Sequence, residues 1–304
     1  MIEPVTSMVQ IRKYHGLGND FLVLLDVDGH RWAESGVDGK AAALARAACD
    51  RHRGIGADGL LIVSDGPPDG SADVTMRLHN ADGSIAEMSG NGIRCFSQAV
   101  VDGALAPVGT LRVQTDAGLR VVEVGKTNAD GVANIHVDMG RAKVDAFEIP
   151  APVQAFVEAL GDSSVRVATV DVGNPHLVVG VDAAIVDIAT FDIASFGTSV
   201  EKHFMEAFGG INVHVVSIAK ASPAESFVDA LDMTIWERGV GITEACGTGA
   251  TAVAVAAHAW GWVGLICELR QPGGTARVEI VGEQLTLIGP SQFVATSDFA
   301  WHQL

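Results

Sequence analysis

Residues 236–249 read WERGVGITEACGTG, and residues 79–92 read HNADGSIAEMSGNG. The two stretches align without a gap: Glu87 meets Glu244, Gly90 meets Gly247 and Gly92 meets Gly249, at an offset of 157 residues. Upstream of each lies a second landmark, GNDFLVLLD (18–26) and GNPHLVVGVD (173–182), which places Asn19 and Asn174 155 residues apart. Landmarks in the same order at nearly the same offset predict a duplicated domain, because the strand–loop–helix context repeats with them.

Working outward, short alternating or β-branched runs dominate the chain, among them VQIRKY, FLVLLD, GLLIVS, VTMRLH, TLRVQT, HLVVGV, INVHVV, LDMTIW and ARVEIV. Each is bounded by Gly, Asp or Asn and reads as a strand. Helices are expected over 38–50, over 195–208 with a start at Thr198 or Ser199, and over 90–102 and 247–260, which both open on Gly-x-Gly. The class is therefore α+β. The length of 304 residues fits two domains, and the Pro/Gly punctuation at 139–152 marks the boundary between them.

Composition narrows the function classes. Lys+Arg 20 against Asp+Glu 37 gives a net charge of -17, which repels phosphate backbones and argues against nucleic-acid binding. The longest apolar stretch, GATAVAVAAHAWGWVG, is rich in Ala and Gly and carries His258, so a buried helix is expected there rather than a membrane span. The N-terminal residues show no basic region ahead of an apolar one. Cys49, Cys95, Cys246 and Cys267 form no CxxC pair, which points to a reducing, cytoplasmic setting and away from a zinc site.

A Gly-x-Gly turn ahead of a helix directs backbone N–H groups outward, where they and the helix dipole attract a carboxylate. Cys246 immediately precedes one such turn, where a thiol is expected to have a lowered pKa and to serve as a base. Cys95 falls on the second turn of its helix, in an apolar run, and is expected to be structural. Two such loops from related halves, facing one small molecule, would suit inversion of a stereocentre: one group removes the proton and another returns it to the opposite face.

The set YHGLGNDF, RGIGADG, HNADGS, GNPH, INVHVV and WERGVG-T-ACGTGA resembles the diaminopimelate epimerase family over nearly the whole chain. The resemblance implies an isomerase that interconverts LL- and meso-2,6-diaminopimelate, in lysine and peptidoglycan synthesis, without pyridoxal phosphate or metal. It implies two pseudo-symmetric domains, each a curved mixed sheet or barrel around a central helix, with the active site in the cleft between them. The domains would be 1–140 with a C-terminal strand 292–304, and 141–291. Family members are commonly homodimers. By matching motif, Cys246 is the second-half catalytic cysteine, and Asn19, Asn80, Asn174 and Asn212 contact substrate. Glu237 and Arg238 match the Glu-Arg pair near substrate. Gly247 and Thr248 match one carboxylate-binding turn, Gly90 and Asn91 the other. His176 and Glu237 match groups that adjust cysteine acidity.

One position departs from the pattern. Where the family's first catalytic cysteine precedes GNG, this chain has Ser89. Cys95 lies six residues on, about 600° around a helix and so about 240° from Ser89, and cannot stand in for the missing thiol without rearrangement. Smaller departures are Ile242, where Glu is common, and Thr251, where many members have Cys. Ser89 is open to three explanations: an engineered Cys→Ser change, a natural subgroup using an altered acid, or a paralogue with another amino-acid epimerase, dehydratase or purely binding role.

Overall fold

The structure is a computed structural model and describes residues 6–27, 32, 39–86, 88–161, 165–219 and 229–302. Glu87, used in the repeat alignment, lies outside the described residues. The chain divides into two compact units, Met1–Val137 with Gly289–Leu304, and Asp138–Ile288.

In the first unit the elements run β1 (Thr6–Gly16), β2 (Asn19–Leu25), α1 (Lys40–Cys49), β3 (Gly59–Asp65), β4 (Val74–Asn80), β5 (Ile85–Ala86), α2 (Gly90–Asp102), β6 (Gly109–Thr115), β7 (Gly118–Val124) and β8 (Val132–Gly140). The second unit runs β9 (Lys143–Val144), α3 (Ala151–Leu160), β10 (Val165–Asp171), β11 (Pro175–Val181), α4 (Ile193–Phe208), β12 (Asn212–Ile218), β13 (Asp229–Glu237), β14 (Gly241–Ile242), α5 (Gly247–Ala259), β15 (Ile266–Gln271) and β16 (Gly274–Val281). Strand β17 (Gln284–His302) begins in the second unit and ends in the first.

The pairing order of the first unit is β17–β1–β2–β3–β4–β6–β7–β8, and β8 pairs again with β17, closing a barrel of eight strands. Closure removes the sheet edges that would otherwise be left unpaired. The second unit repeats the order as β9–β10–β11–β12–β13–β15–β16–β17. The parallel pairs recur too: β2–β3 is matched by β11–β12, and β4–β6 by β13–β15. The duplication read from the sequence is thus a duplication of topology, and the class is α+β.

Residue pattern explains the layout. The runs FLVL, LLIV and PHLVVGV are buried at every position, as strands covered on both faces require. Helix α2 is buried all the way from Gly90 to Val100 and packs on β1, β2, β3, β4 and β7. Helix α5 is built almost entirely of small residues and packs on β10, β11, β12, β15 and β16. A helix buried on all sides needs small or apolar residues all round, and α5 meets this with Ala and Val. Each fully buried Val or Leu contributes about 1.5–3 kcal/mol.

Three expectations about the elements change. Helix α4 starts at Ile193, not near Thr198, because the Asp192 carboxylate accepts from the Ser195 N–H at 3.0 Å and caps it. The stretch read as boundary punctuation runs into the first two residues of α3, which Pro150 opens from its N-cap position. The C-terminal strand expected over 292–304 is the end of the 19-residue β17, which already begins at Gln284 and runs through GPSQF.

Candidate active site

The two Gly-x-Gly turns have the same backbone and different caps. Ser89 is the N-cap of α2, with φ -138° and ψ 127°, and its Oγ accepts from the Gly92 N–H at 3.0 Å. Cys246 is the N-cap of α5, with φ -131° and ψ 113°, and its Sγ accepts from the Gly249 N–H at 3.2 Å. A side-chain acceptor satisfies one of the orphan N–H groups of the first turn. The landmark asparagines are placed alike as well. Gly18 (φ 87°) and Gly173 (φ 102°) make the left-handed turns ahead of Asn19 and Asn174, a conformation that other L-residues rarely adopt.

In the second unit Cys246 is held from several sides. Its N–H donates to Gln271 Oε1 at 2.8 Å, and Thr248 Oγ1 lies 3.5 Å from Sγ. Burial raises the thiol pKa, and the Glu237 carboxylate raises it further, while Thr248 and the Gly249 N–H act the other way. The expected lowering is therefore corrected: desolvation and a neighbouring carboxylate outweigh the helix terminus, and Cys246 rests as a thiol. Glu237 in turn accepts from Thr243 Oγ1 at 2.6 Å.

Asn212 is fixed by two partners of settled polarity. Its Nδ2 donates to the Pro175 carbonyl at 3.0 Å, and its Oδ1 accepts from the Arg238 N–H at 3.0 Å. The Arg238 guanidinium donates to the Phe208 carbonyl at 3.0 Å and has no carboxylate partner among the described residues. Glu201 on α4 braces the turn that carries Arg238, accepting from the Gly239 N–H and from Trp236 Nε1, each at 2.9 Å.

Asn174 ends a chain of buried rings. His176 Nε2 lies 2.9 Å from Asn174 Oδ1, and His176 Nδ1 lies 2.9 Å from His214 Nε2. An amide oxygen only accepts, so His176 is protonated at Nε2, and His214 donates to its Nδ1. His214 Nδ1 is then a bare acceptor, buried with no partner among the described residues. Burial lowers the pKa of both rings, that of His214 to about 3, so both are neutral at physiological pH. His214 lies close against the first turn of α5, since a Cβ built on Gly249 would fall 2.4 Å from its Cε1 and 3.0 Å from Cys246 Sγ.

In the first unit amides take the place of these groups. Asn91 Nδ2 donates to Asn19 Oδ1 at 3.1 Å, and Asn19 Nδ2 donates to Asp58 Oδ2 at 2.6 Å. Arg51 pairs with Asp58 and with Asp20, each at 2.7 Å, and Lys13 pairs with Asp20 at 2.7 Å. Asn80 donates to Ser84 Oγ at 2.9 Å. Cys95 is fully buried within α2, its thiol pushed up to about 12 by desolvation. All four cysteines are free.

Sequence reasoning passed over Arg94, Asp58, Glu201, His214 and Gln271. His214 stood in the quoted run INVHVV and read only as a strand residue. Glu201 and Gln271 carried no local signal, because their partners lie 25 or more residues away. Among the described residues no group of His, Cys, Asp and Glu is arranged to hold a metal ion, and no helix is long and apolar enough to cross a membrane.

Comparison with known proteins places the chain in a family. The family profile for diaminopimelate epimerase matches residues 11–144 and 168–294. The diaminopimelate epimerase of Methanothermobacter thermautotrophicus is 36% identical over 281 residues, covering 90% of this chain and 91% of its own. That of Prochlorococcus marinus is 38% identical over 298 residues, covering 94% and 90%. Among solved structures, a phenazine biosynthesis protein of the PhzF family from Bacillus anthracis superposes with a TM-score of 0.70 at 16% identity, covering 96% of this chain and 99% of that one. A hydroxyproline epimerase from Agrobacterium vitis superposes with a TM-score of 0.66 at 16% identity, covering 97% and 93%. These two likenesses show the fold, and the sequence matches show more: the chain belongs to the diaminopimelate epimerase family, a family of isomerases.

Proposed function

We propose that this protein is an amino-acid epimerase acting on 2,6-diaminopimelate, with Cys246 working one face of the α-carbon and Ser89 occupying the place of the group for the other. The observation that carries the reading is the pair of superimposable helix caps, one ending in a thiol beside Glu237 and the other in a hydroxyl. Amide and backbone N–H groups dominate both turns, as a carboxylate ligand requires. Arg238, with its guanidinium bonded only to a carbonyl, adds a planar fork for a second carboxylate.

Cys246 rests as a thiol and so begins as the acid on its face: it can give its proton to a substrate carbanion and become a thiolate. To act as base it must first pass its proton to Glu237, the nearest carboxylate, and the thiolate then takes the α-hydrogen. Ser89 spends an Oγ lone pair on the helix cap and keeps its hydroxyl hydrogen, which makes it a donor of poor acidity and not a base. The two faces are thus unequal, and proton exchange from the Cys246 side outruns inversion. The departure at Ser89 also supports a second reading, a one-base reaction or plain binding of another amino acid at the same turns. Homodimeric assembly and a role in lysine and peptidoglycan synthesis rest on the family resemblance, and a cytoplasmic setting rests on the sparse cysteines without a CxxC pair.

The deciding experiment follows both epimers of diaminopimelate in D₂O. One epimer should exchange its α-hydrogen faster than it inverts, and Ser89→Cys should raise inversion by roughly 10²–10⁴-fold, the scale of a positioned acid or base. No exchange with either epimer, before or after that substitution, would move the assignment to the second reading.

A further inference from the structure

Arg94 is an unusual residue to find inside a barrel helix. It is fully buried one turn into α2, yet desolvation lowers its pKa only to about 10, so it is a cation at neutral pH. Its Nη1 donates to the Gly90 carbonyl at 3.1 Å, its Nε to the Pro290 carbonyl at 3.2 Å, and its Nη2 to Asn91 Oδ1 at 2.8 Å. Two glycines make room for it: a Cβ on Gly16 would fall 3.0 Å from Nη2, and one on Gly289 would fall 3.3 Å from Cζ and Nε. Neither glycine has a positive φ, so the space for the guanidinium is the visible reason for a missing side chain there.

The bond to Asn91 has a consequence for the whole first unit. A guanidinium only donates, so Asn91 must turn its oxygen to Arg94 and its nitrogen to Asn19. A carboxylate only accepts, so Asn19 must turn its nitrogen to Asp58 and its oxygen to Asn91. The two amides form a one-way relay between a buried cation and an anion, with every dipole aligned. Asn19 is left with one amide hydrogen that has no partner among the described residues. Among the described residues the second unit has no such device. The position matching Arg94 is Thr251, whose Oγ1 accounts only for the Gly247 carbonyl, at 3.0 Å.

We propose that Arg94 is a positioning residue for substrate binding: it holds Asn91 Oδ1 and so keeps Asn91 donating to Asn19, whose remaining amide hydrogen faces the substrate carboxylate. This rests on the reading of Asn19 and Asn91 as substrate-binding residues. Without the guanidinium, Asp58 still fixes which way the Asn19 amide turns, but Asn91 loses that donor to its oxygen and Asn19 loses the neighbour that holds it in place.

The test uses Arg94→Lys, which keeps the charge and loses the fork, and Gly289→Ala, whose added methyl has Arg94 as its nearest neighbour. In protein labelled with ¹⁵N-asparagine, the Asn19 side-chain NH₂ signals should shift in both variants. Unchanged signals in both would overturn the proposal. In α-hydrogen exchange of diaminopimelate, KM should rise roughly tenfold in Arg94→Lys, the scale of one hydrogen bond involving charge, with a smaller rise in Gly289→Ala and kcat within about twofold. Guanidinium ion added to Arg94→Ala should restore part of the affinity, and methylammonium should not. If Arg94→Lys fails to fold, as its melting curve will show, Gly289→Ala decides alone. Asn91→Ala separates the two levels of the argument. A raised KM in Asn91→Ala beside unchanged KM in folded Arg94→Lys and Gly289→Ala overturns the role of Arg94. An unchanged KM in Asn91→Ala overturns the binding assignment itself, and this proposal with it.

Discussion

The turn before α2 and the turn before α5 are one backbone with two chemistries. Both caps sit in extended conformation and both accept from the N–H three residues on. Around Cys246 stand a carboxylate, a threonine hydroxyl and the histidine pair. At the matching places in the other unit stand Asn80 for Glu237, Asn91 for Thr248, Phe21 for His176 and Leu61 for His214. A duplicated fold therefore fixes where a helix end offers its N–H groups, while the side chains packed on that end decide whether the cap can move a proton. On the function proposed above, the Cys246 turn exchanges protons and the Ser89 turn holds an anion still.

The largest break in that contrast comes from making the caps alike. Cys246→Ser should lower α-hydrogen exchange of diaminopimelate by roughly 10²–10⁴-fold, because the thiolate that takes the α-hydrogen is lost and a serine hydroxyl is too weak an acid to replace it. Exchange that survives the change would show that the thiol is not what distinguishes the two turns. Next in size is recognition. Arg238→Ala should weaken substrate binding by about 1.5–3 kcal/mol, and Arg238→Lys should recover only part, since one ammonium cannot reproduce the fork. Isothermal titration settles this, and full recovery by lysine would reduce Arg238 to a point charge.

The histidine pair gives a prediction in pH. Both rings have pKa values lowered by burial, so the folded protein resists protons that the unfolded chain accepts below 6.5. Their contribution to stability is whole above that pH and falls as the pH drops, by about 1.4 kcal/mol per pH unit for each ring. Urea unfolding between pH 7 and 5 should show this loss. A double variant, His176→Phe with His214→Leu, copies the first unit and should flatten the slope. Equal slopes would mean that the pair titrates no differently in the folded state. The smallest effect is on capping. Ser89→Ala should cost about 0.5–2 kcal/mol of stability and Ser89→Gly only a few tenths, measured by the same urea curves.

Much of this was legible in the chain and some was not, for reasons that differ by residue. The repeat was readable because Gly-Asn and Gly-x-Gly are local: the glycines ahead of Asn19 and Asn174 and the caps at Ser89 and Cys246 need only their neighbours. The two central helices were readable for the same reason, since they open on those caps. Helix α4 was placed late because an Asp cap and a Thr start look equally good in sequence. The protonation of Cys246 was misread because its helix terminus is local and visible, while burial and Glu237 are tertiary and are not. Arg94 was hidden by its own motif: in GNGIRC it looks like a helix former, and only Pro290, 196 residues away, shows that it is inside.

The path of β17 has a consequence for the order in which the protein can be made. The first barrel closes through the Gly289–His302 part of β17, which leaves the ribosome after the whole of the second unit and pairs with β1 and β8. The second unit, by contrast, is a continuous run that ends at Ile288. Domains ordinarily fold in the order of their synthesis, N-terminal first. Here the second-encoded unit is the first to have all its strands, and the first-encoded one waits, with β1 and β8 unzipped, until the rest of β17 has followed it.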